Sequence, residues 1–331
     1  MPFPILRTPF VVLSEIISLL EPNEIVTASF CSTKVERILK RHYEQRKPLK
    51  WRLLLTNYDA MGRVNIETSE DSEQITVMSA KHISVLEGRE LKNINGDIRG
   101  FASSKYPVLY FNDQVLGTKI IVNYVTFLFG LDVYGLIADR KGVWAIDWIN
   151  NRQEKMLESF ELNNTSKNNS NADEALDYVL RNARVSYYCN IDGKVSDNFK
   201  FNGKVGPMRQ LWIRSNGHWV TCDNLKNFDV LYIRIDGSRL SVSDLNSFLR
   251  HWRAGGSARW EWLYLIFEEH TFQERFDEDL EVVETDEKRV YRRSYDGWKW
   301  VFNGGYSIQR MDGAKAMIQC GLGCFIMAVC H

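Results

Sequence analysis

The 331-residue chain lacks an excess of either charge sign, because 42 Lys and Arg residues balance 42 Asp and Glu residues. A formal net charge of zero provides no general electrostatic attraction to nucleic acid. The chain also lacks any run of about 18 apolar residues, so no membrane-spanning helix is expected. Arg7, Pro9 and Glu15 interrupt the apolar N terminus and no small-residue cleavage site follows, which argues against a signal peptide.

Motifs of catalysis and metal binding are equally scarce. The sequence contains no P-loop, nucleophile elbow or H-E-x-x-H motif. Its six scattered cysteines do not form a disulfide framework, and we expect reduced thiols inside the cell, in the cytoplasm or nucleus. The spacing of Cys320, Cys324, Cys330 and His331 departs from the C-x2-C pairs of zinc sites, so neither a metal nor a cofactor is expected.

The first 43 residues contain three short helical patterns. The first has apolar residues at i, i+3, i+4 and i+7, which are Leu13, Ile16, Ile17 and Leu20. Pro22 suits the first turn of a second helix, and the capping-box spacing of Thr33 and Glu36 predicts the start of a third. Helices this short bury little apolar surface alone, so the module should pack on the rest of the chain or on a partner.

This module resembles an F-box through Phe3–Leu6, Pro9–Leu13, Ile16-Ile17, Leu20, Pro22, Ile25 and Cys31-Ser32. The resemblance implies docking on the Skp-type adaptor, and through it on the cullin, of an SCF ubiquitin ligase. The candidate adaptor-binding residues are Pro9, Phe10, Leu13, Ile16, Ile17, Leu20, Pro22 and Ile25. Thr8 departs from the family, which usually has leucine there, and a lost leucine contact costs about 1–3 kcal/mol. The alternative is a helical hairpin that caps the main domain.

The second half repeats a triplet of leucine, aromatic and aliphatic residues, at Leu211–Ile213, Leu231–Ile233 and Leu263–Leu265. Helical patterns lie between the triplets. Ser241 and Asp244 predict the start of the clearest helix, and Gly255-Gly256 predict its end. Strands that alternate with helices through short links predict a parallel sheet with helices on one side. The irregular repeat resembles a degenerate leucine-rich-repeat array.

Three segments, His218–Thr221, Ser243–Trp252 with Gly255-Gly256, and Ile308–Gly313, resemble the type 2 F-box-associated domain of a nematode-expanded F-box family. The resemblance implies a surface that binds target proteins. We therefore expect an α+β protein with a three-helix F-box, a β-rich segment and an α/β region of leucine-rich-repeat-like units. The predicted domains are an F-box at 1–45, a mixed region at 46–162, a polar loop at 163–171 and an F-box-associated domain at 172–331.

The aromatic positions of the triplets define a candidate target-binding surface. If the leucine and aliphatic positions point at the helices, strand alternation places Trp212, Tyr232 and Tyr264 together on the other face. Arg214 and Arg234 follow two residues further along their strands. Trp, Tyr and Arg are enriched at binding hot spots. The alternative is that the N-terminal β region covers this face as a second core layer.

The predicted function is that of a substrate-recognition subunit of an SCF-type ligase. The chain itself is expected to catalyse no reaction. Its expected partners include an unidentified target protein but neither nucleic acid nor a membrane. One alternative is an F-box protein that acts as an interaction module outside a ligase. Another is an enzyme with a site around His218, Asp223 and His251, although no motif supports it.

Overall fold

The computed structural model of the chain describes residues 8–45, 49–58, 61–68, 73–85, 93–94, 98–99, 105–164, 171–268, 276–293, 295–321 and 323–330. The chain divides into two compact units, Met1–Leu157 and Glu158–His331. Each unit mixes helices with strands, so the expectation of a protein that combines the two is confirmed. Phe3–Leu6, His331 and most of the polar loop predicted at 163–171 lie outside the described residues.

The first unit begins with the three predicted helices, α1 (Phe10–Ser18), α2 (Pro22–Ser29) and α3 (Thr33–Gln45). Pro22 lies in the first turn of α2, as predicted. The prediction for α3 was wrong by one residue, because Thr33 already belongs to the helix. The backbone N–H of Val35 donates instead to the hydroxyl of Ser32, at 3.2 Å.

The rest of the first unit is a mixed sheet with two further helices, α4 (Gln114–Phe129) and α5 (Trp144–Arg152). Its strands are β1 (Arg52–Tyr58), β2 (Met61–Glu67), β3 (Gln74–His82), β4 (Asn93–Ile94), β5 (Ile98–Arg99), β6 (Val108–Phe111) and β7 (Val133–Ala138). They lie in the order β7-β1-β2-β3-β6-β5-β4. Strand β1 pairs antiparallel with β2 and parallel with β7.

Aromatic contacts attach the N-terminal helices to α4. The ring of Phe30 stacks on Tyr124 with centroids 4.9 Å apart, and Tyr43 meets Phe129 edge to face at 5.1 Å. The hydroxyls of Ser29 and Tyr124 are 2.7 Å apart, and burial raises the pKa of Tyr124 to about 12. The helices therefore pack on the rest of their unit, as their small size predicted.

The second unit contains helices α6 (Ala172–Asn182), α7 (Cys222–Asn227) and α8 (Val242–Arg253). Its strands are β8 (Leu157–Asn164), β9 (Val185–Gly193), β10 (Val205–Ile213), β11 (Phe228–Ser238), β12 (Trp262–Phe267), β13 (Val283–Arg292), β14 (Lys299–Gln309), β15 (Lys315–Gly321) and β16 (Cys324–Cys330). The order is β13-β14-β15-β16-β12-β11-β10-β9-β8.

The four strands β9 to β12 run parallel, as the alternation of strand and helix predicted. The likeness to a leucine-rich-repeat array stays a prediction. Strand β12 also pairs antiparallel with β16, and the sheet continues antiparallel through β15 and β14 to β13. The C-terminal segment thus extends the parallel sheet with an antiparallel meander that the sequence analysis did not anticipate.

One face of the parallel strands is aliphatic and buried. Leu211, Ile233 and Leu263 lie opposite one another on neighbouring strands and are all buried. Helix α8 buries four apolar residues of one face, Leu245, Phe248, Leu249 and Trp252. Parallel strands of this kind are typically covered by helices, which accounts for the aliphatic composition of this face.

Both predicted ends of α8 are confirmed. The backbone N–H of Asp244 donates to the Ser241 hydroxyl at 3.1 Å, and the Ser241 N–H donates to Asp244 Oδ2 at 2.9 Å. Gly255 follows the last turn at φ +94°, a conformation that favours glycine.

Among the described helices, none is both long and apolar enough to span a bilayer.

Replacement of the α8 cap should destabilise the second unit. We expect Ser241→Ala to lower the free energy of unfolding by about 1 kcal/mol, because the backbone N–H of Asp244 loses the hydroxyl that accepts its hydrogen bond. Urea denaturation followed by circular dichroism measures this change. Ser243→Ala, at an exposed position of the same helix, is the matched control. Equal midpoints for the two variants would contradict the assigned cap.

Two cysteines should differ sharply in reactivity. Cys189 is buried on β9, and burial raises the pKa of its thiol to about 12, whereas Cys31 is exposed. Because the thiolate is the reactive species, we expect iodoacetamide at pH 8 to modify Cys31 and to spare Cys189 until urea unfolds the chain. Peptide mapping by mass spectrometry measures both rates. Modification of both thiols at similar rates in the native protein would show the burial to be wrong.

Candidate protein-binding sites

The face of the parallel sheet opposite the aliphatic one carries aromatic rings and guanidinium groups. Trp212 lies opposite Arg234, and Arg234 lies opposite Tyr264 on the next strand. Tyr232 lies one pleat away, opposite Trp262. The three rings therefore share one face, as strand alternation predicted, but they do not form one row, because β11 is offset by two residues and places Arg234 between Trp212 and Tyr264.

A hairpin formed by β13 and β14 covers part of this face. Tyr291 and Phe302 join Tyr232 and Trp262 in one buried cluster. The ring of Trp262 lies 5.1 Å from Tyr291, centroid to centroid. The covering layer is therefore supplied by the C-terminal segment of the same unit, and it makes Tyr232 a core residue that is only 2% exposed.

The uncovered part of the face is a cavity of about 220 Å³. Four tryptophans line it, namely Trp212, Trp262, Trp298 and Trp300. Trp298 meets Trp262 edge to face at 5.2 Å, and Trp300 lies 5.9 Å from both rings. Four of the five predicted target-binding residues also line the cavity: Trp212, Tyr232, Arg234 and Tyr264. The fifth, Arg214, is exposed and stacks on the ring of Trp212 at 5.3 Å.

Sequence reasoning missed five residues of this cavity: Ile233, Trp262, Arg293, Trp298 and Trp300. The two-residue spacing of aromatic residues could have predicted three of them, Trp262, Trp298 and Trp300. Trp262 precedes Tyr264 by two residues and so shares its face of the strand, and Trp298, directly before β14, precedes Trp300 by the same spacing. That the hairpin folds onto the parallel strands depends on long-range pairing, which this spacing does not reveal.

Both arginines of the cavity are paired with carboxylates. The guanidinium of Arg234 donates to both oxygens of Asp236, at 3.0 and 3.1 Å, and this hydrogen bonding raises the pKa of Arg234. The guanidinium of Arg293 binds Asp296, with Nε 3.0 Å from Oδ1. Arg234 also lies 5.2 Å from the ring of Tyr264. The cavity thus combines aromatic walls with locally balanced charge.

Tyr232 connects the sheet to the hairpin through its hydroxyl as well as its ring. That hydroxyl donates to Glu261 Oε2 at 2.7 Å, and the hydroxyl of Tyr291 lies 3.4 Å from the same oxygen. Burial, followed by the hydrogen bond to Tyr232, raises the pKa of Tyr291 far above its ordinary value. The polar tips of the two buried tyrosines therefore share one carboxylate.

The N-terminal helices present a second apolar surface, on the first unit. Of the predicted adaptor-binding residues, Leu13, Ile17, Pro22 and Ile25 are buried, Ile16 and Leu20 are half-buried, and Pro9 and Phe10 are exposed. The predicted adaptor-binding residues did not include Val11, Val12 and Leu19, which are 74%, 48% and 84% exposed. The buried half holds the helices in place, and the exposed apolar side chains of α1 are open to a partner.

The remaining candidate residues have local partners. His218 Nε2 is 3.1 Å from the Ser196 carbonyl oxygen, and His251 Nε2 is 3.2 Å from the Ser257 hydroxyl. Burial and the nearby Lys226 lower the pKa of His251. Asp223 is exposed. Across the described part of the chain, no group of three metal-ligating side chains comes together.

A family model described as F-box associated matches residues 201–265. The matched segment includes β10, α7, β11, α8 and most of β12, together with all five predicted target-binding residues. No curated protein and no solved structure matches the chain. The chain therefore carries an F-box associated domain, and the aromatic face of the parallel strands belongs to it.

Two aromatic residues of the cavity should respond differently to truncation. We expect Tyr232→Ala to lower the free energy of unfolding by about 3–5 kcal/mol, because the buried ring leaves a void. Trp298→Ala should cost less than about 1.5 kcal/mol, since that ring is 37% exposed and loses mainly its aromatic contacts. Urea denaturation followed by circular dichroism measures both.

The control for the first variant is Tyr232→Phe, which keeps the ring and removes only the hydroxyl that binds Glu261. It should be clearly more stable than Tyr232→Ala. A Tyr232→Ala protein as stable as Trp298→Ala would mean that the hairpin does not cover this ring in solution.

Proposed function

We propose that this chain is a substrate-recognition subunit of an SCF-type E3 ubiquitin ligase. The F-box associated match at residues 201–265 carries the proposal, because it contains the strand residues that line the aromatic cavity in the second unit. Such a cavity, rich in Trp, Tyr and Arg, has the composition of a protein-binding hot spot. In this proposal the second unit binds the target protein.

The N-terminal helices take the role of the adaptor-binding F-box. Their support is the exposure of large apolar side chains on this short segment, at Phe10, Val11 and Val12 in α1 and at Leu19 directly after it. Val12 and Leu19 are seven residues apart and so lie on the same side of the helix. Exposed apolar side chains concentrated in one segment are typical of protein-interaction sites. Pro9, Phe10, Ile16 and Leu20 remain candidates for direct adaptor contact, and Leu13, Ile17, Pro22 and Ile25 act by holding the helices together.

The chain contributes proximity rather than chemistry. A target held by the second unit and an adaptor held by the first belong to one complex, so the target's lysines experience a raised effective concentration of the ubiquitin-loaded enzyme. Neither a catalytic side chain nor a cofactor in this chain is required for that role. The target needs only to be held long enough for transfer.

Thr8 favours a second candidate function, an F-box interaction module that acts outside a ligase. The F-box resemblance places leucine at this position, and threonine offers less apolar surface to an adaptor. In this alternative the target-binding cavity is retained, but adaptor binding is too weak to recruit the cullin.

Charge introduced into the exposed surface of α1 should abolish adaptor binding. We expect the natural chain to co-purify with a Skp-type adaptor and the double variant Val11→Asp/Leu19→Asp to lose at least about tenfold in affinity, because apolar contacts would be replaced by buried charge. Both residues are highly exposed, so the variant should fold. Pull-down and calorimetric titration with the purified adaptor measure the effect.

Met311→Asp is the matched control, because Met311 is 81% exposed and lies in the second unit. It should bind the adaptor like the natural chain. Adaptor binding by the Val11→Asp/Leu19→Asp variant would contradict the assigned surface. No binding by the natural chain, with binding restored by Thr8→Leu, would favour the module outside a ligase.

A further inference from the structure

The aromatic cavity has the size of a side-chain pocket rather than that of a small-molecule site. Its volume of about 220 Å³ is below the range of roughly 300–1,000 Å³ in which drug-sized ligands are bound. Its walls are indole and phenol rings held in place by the sheet and the hairpin. A cavity of this kind accommodates one or two residues of an extended peptide.

The charges at the cavity disfavour both cationic and anionic ligands. A methylated ammonium group would need free ring faces, but Arg234 and Arg293 already lie over the rings of Tyr264 and Trp298, at 5.2 and 4.9 Å. Arg214 adds a further positive charge at Trp212. Inside the cavity lining, from which Arg214 is absent, an anion would have to displace a carboxylate from Arg234 or Arg293, since each already binds an aspartate. A neutral ligand fits best.

The hydrogen-bonding groups of the cavity are mainly donors. Trp300 donates its indole N–H to Gln319 at 3.3 Å, but the indole N–H groups of Trp212, Trp262 and Trp298 have no acceptor among the described residues. No carboxylate or side-chain amide belongs to the described lining. A complementary ligand therefore has several hydrogen-bond acceptors and few hydrogen-bond donors of its own.

A proline-rich segment in the polyproline II conformation has these properties. Its carbonyl oxygens make no internal hydrogen bonds, and proline has no backbone N–H that would need an acceptor. Its flat, neutral rings pack on aromatic walls, and aromatic-lined grooves are a recurring binding site for such segments. We propose that the cavity lined by Trp212, Trp262, Trp298 and Trp300 binds a proline-rich segment of the target protein. This inference rests on the target-binding part of the proposed function.

Peptide titration of the full chain tests the proposal. A fluorescein-labelled oligoproline peptide should bind with an increase in fluorescence anisotropy, whereas the same peptide with alanine at every proline should not. Trp298→Ala should weaken oligoproline binding by roughly tenfold or more, because an aromatic wall is lost. Trp298→Phe, which keeps a ring but removes the N–H donor, should have an intermediate affinity.

Val301→Ala is the control on the same hairpin, because Val301 is exposed and outside the cavity lining. It should bind oligoproline like the natural chain. The proposal is overturned if no oligoproline binding is detected, if the alanine peptide binds equally well, or if Trp298→Ala has no effect. Tighter binding of a trimethyllysine or phosphotyrosine peptide would overturn it as well.

Adaptor co-purification of the same proteins separates the two proposals. A chain that binds the adaptor but not oligoproline retains the proposed ligase function and loses this inference. A chain that binds oligoproline through Trp298 but not the adaptor retains the cavity assignment and loses the ligase role.

Discussion

The arrangement of the second unit depends on the burial of one polar aromatic side chain, Tyr232. Its ring lies at the centre of the face that the parallel strands share with the hairpin, and its hydroxyl binds Glu261 at 2.7 Å. A buried hydroxyl without a partner is costly, so this hydrogen bond allows the ring to be buried beneath the hairpin. The rings that remain outside the closed region, including those of Trp212 and Trp298, form the walls of the cavity.

Local rules of chain geometry account for much of what could be predicted. The period of two in the strands placed Trp212, Tyr232 and Tyr264 on one face, and this survived a register offset because the offset is two residues and preserves the face. The start of α8 at Ser241 followed from its side-chain chemistry, because an N-cap interaction involves residues only three apart.

Properties that depend on long-range pairing could not be predicted in this way. The row order of the aromatic face follows from the offset between β10 and β11, which no local pattern encodes. The exposure of Val11 and Leu19 depends on which side of α1 faces the rest of the first unit, and periodicity alone marked the buried residues Leu13 and Ile17 more strongly. The covering of Tyr232 likewise required strand pairing between residues far apart in sequence.

The cavity is assembled from two separate stretches of chain, and only one of them lies within residues 201–265. The segment that defines the family is therefore neither the folding unit nor the binding unit. A chain that ended after β12 would keep the whole matched segment, yet it would lose Trp298 and Trp300 and leave β12 without its neighbour β16. An unpaired strand edge of this kind invites aggregation, so a fragment cut at the family boundary would report on misassembly rather than on recognition.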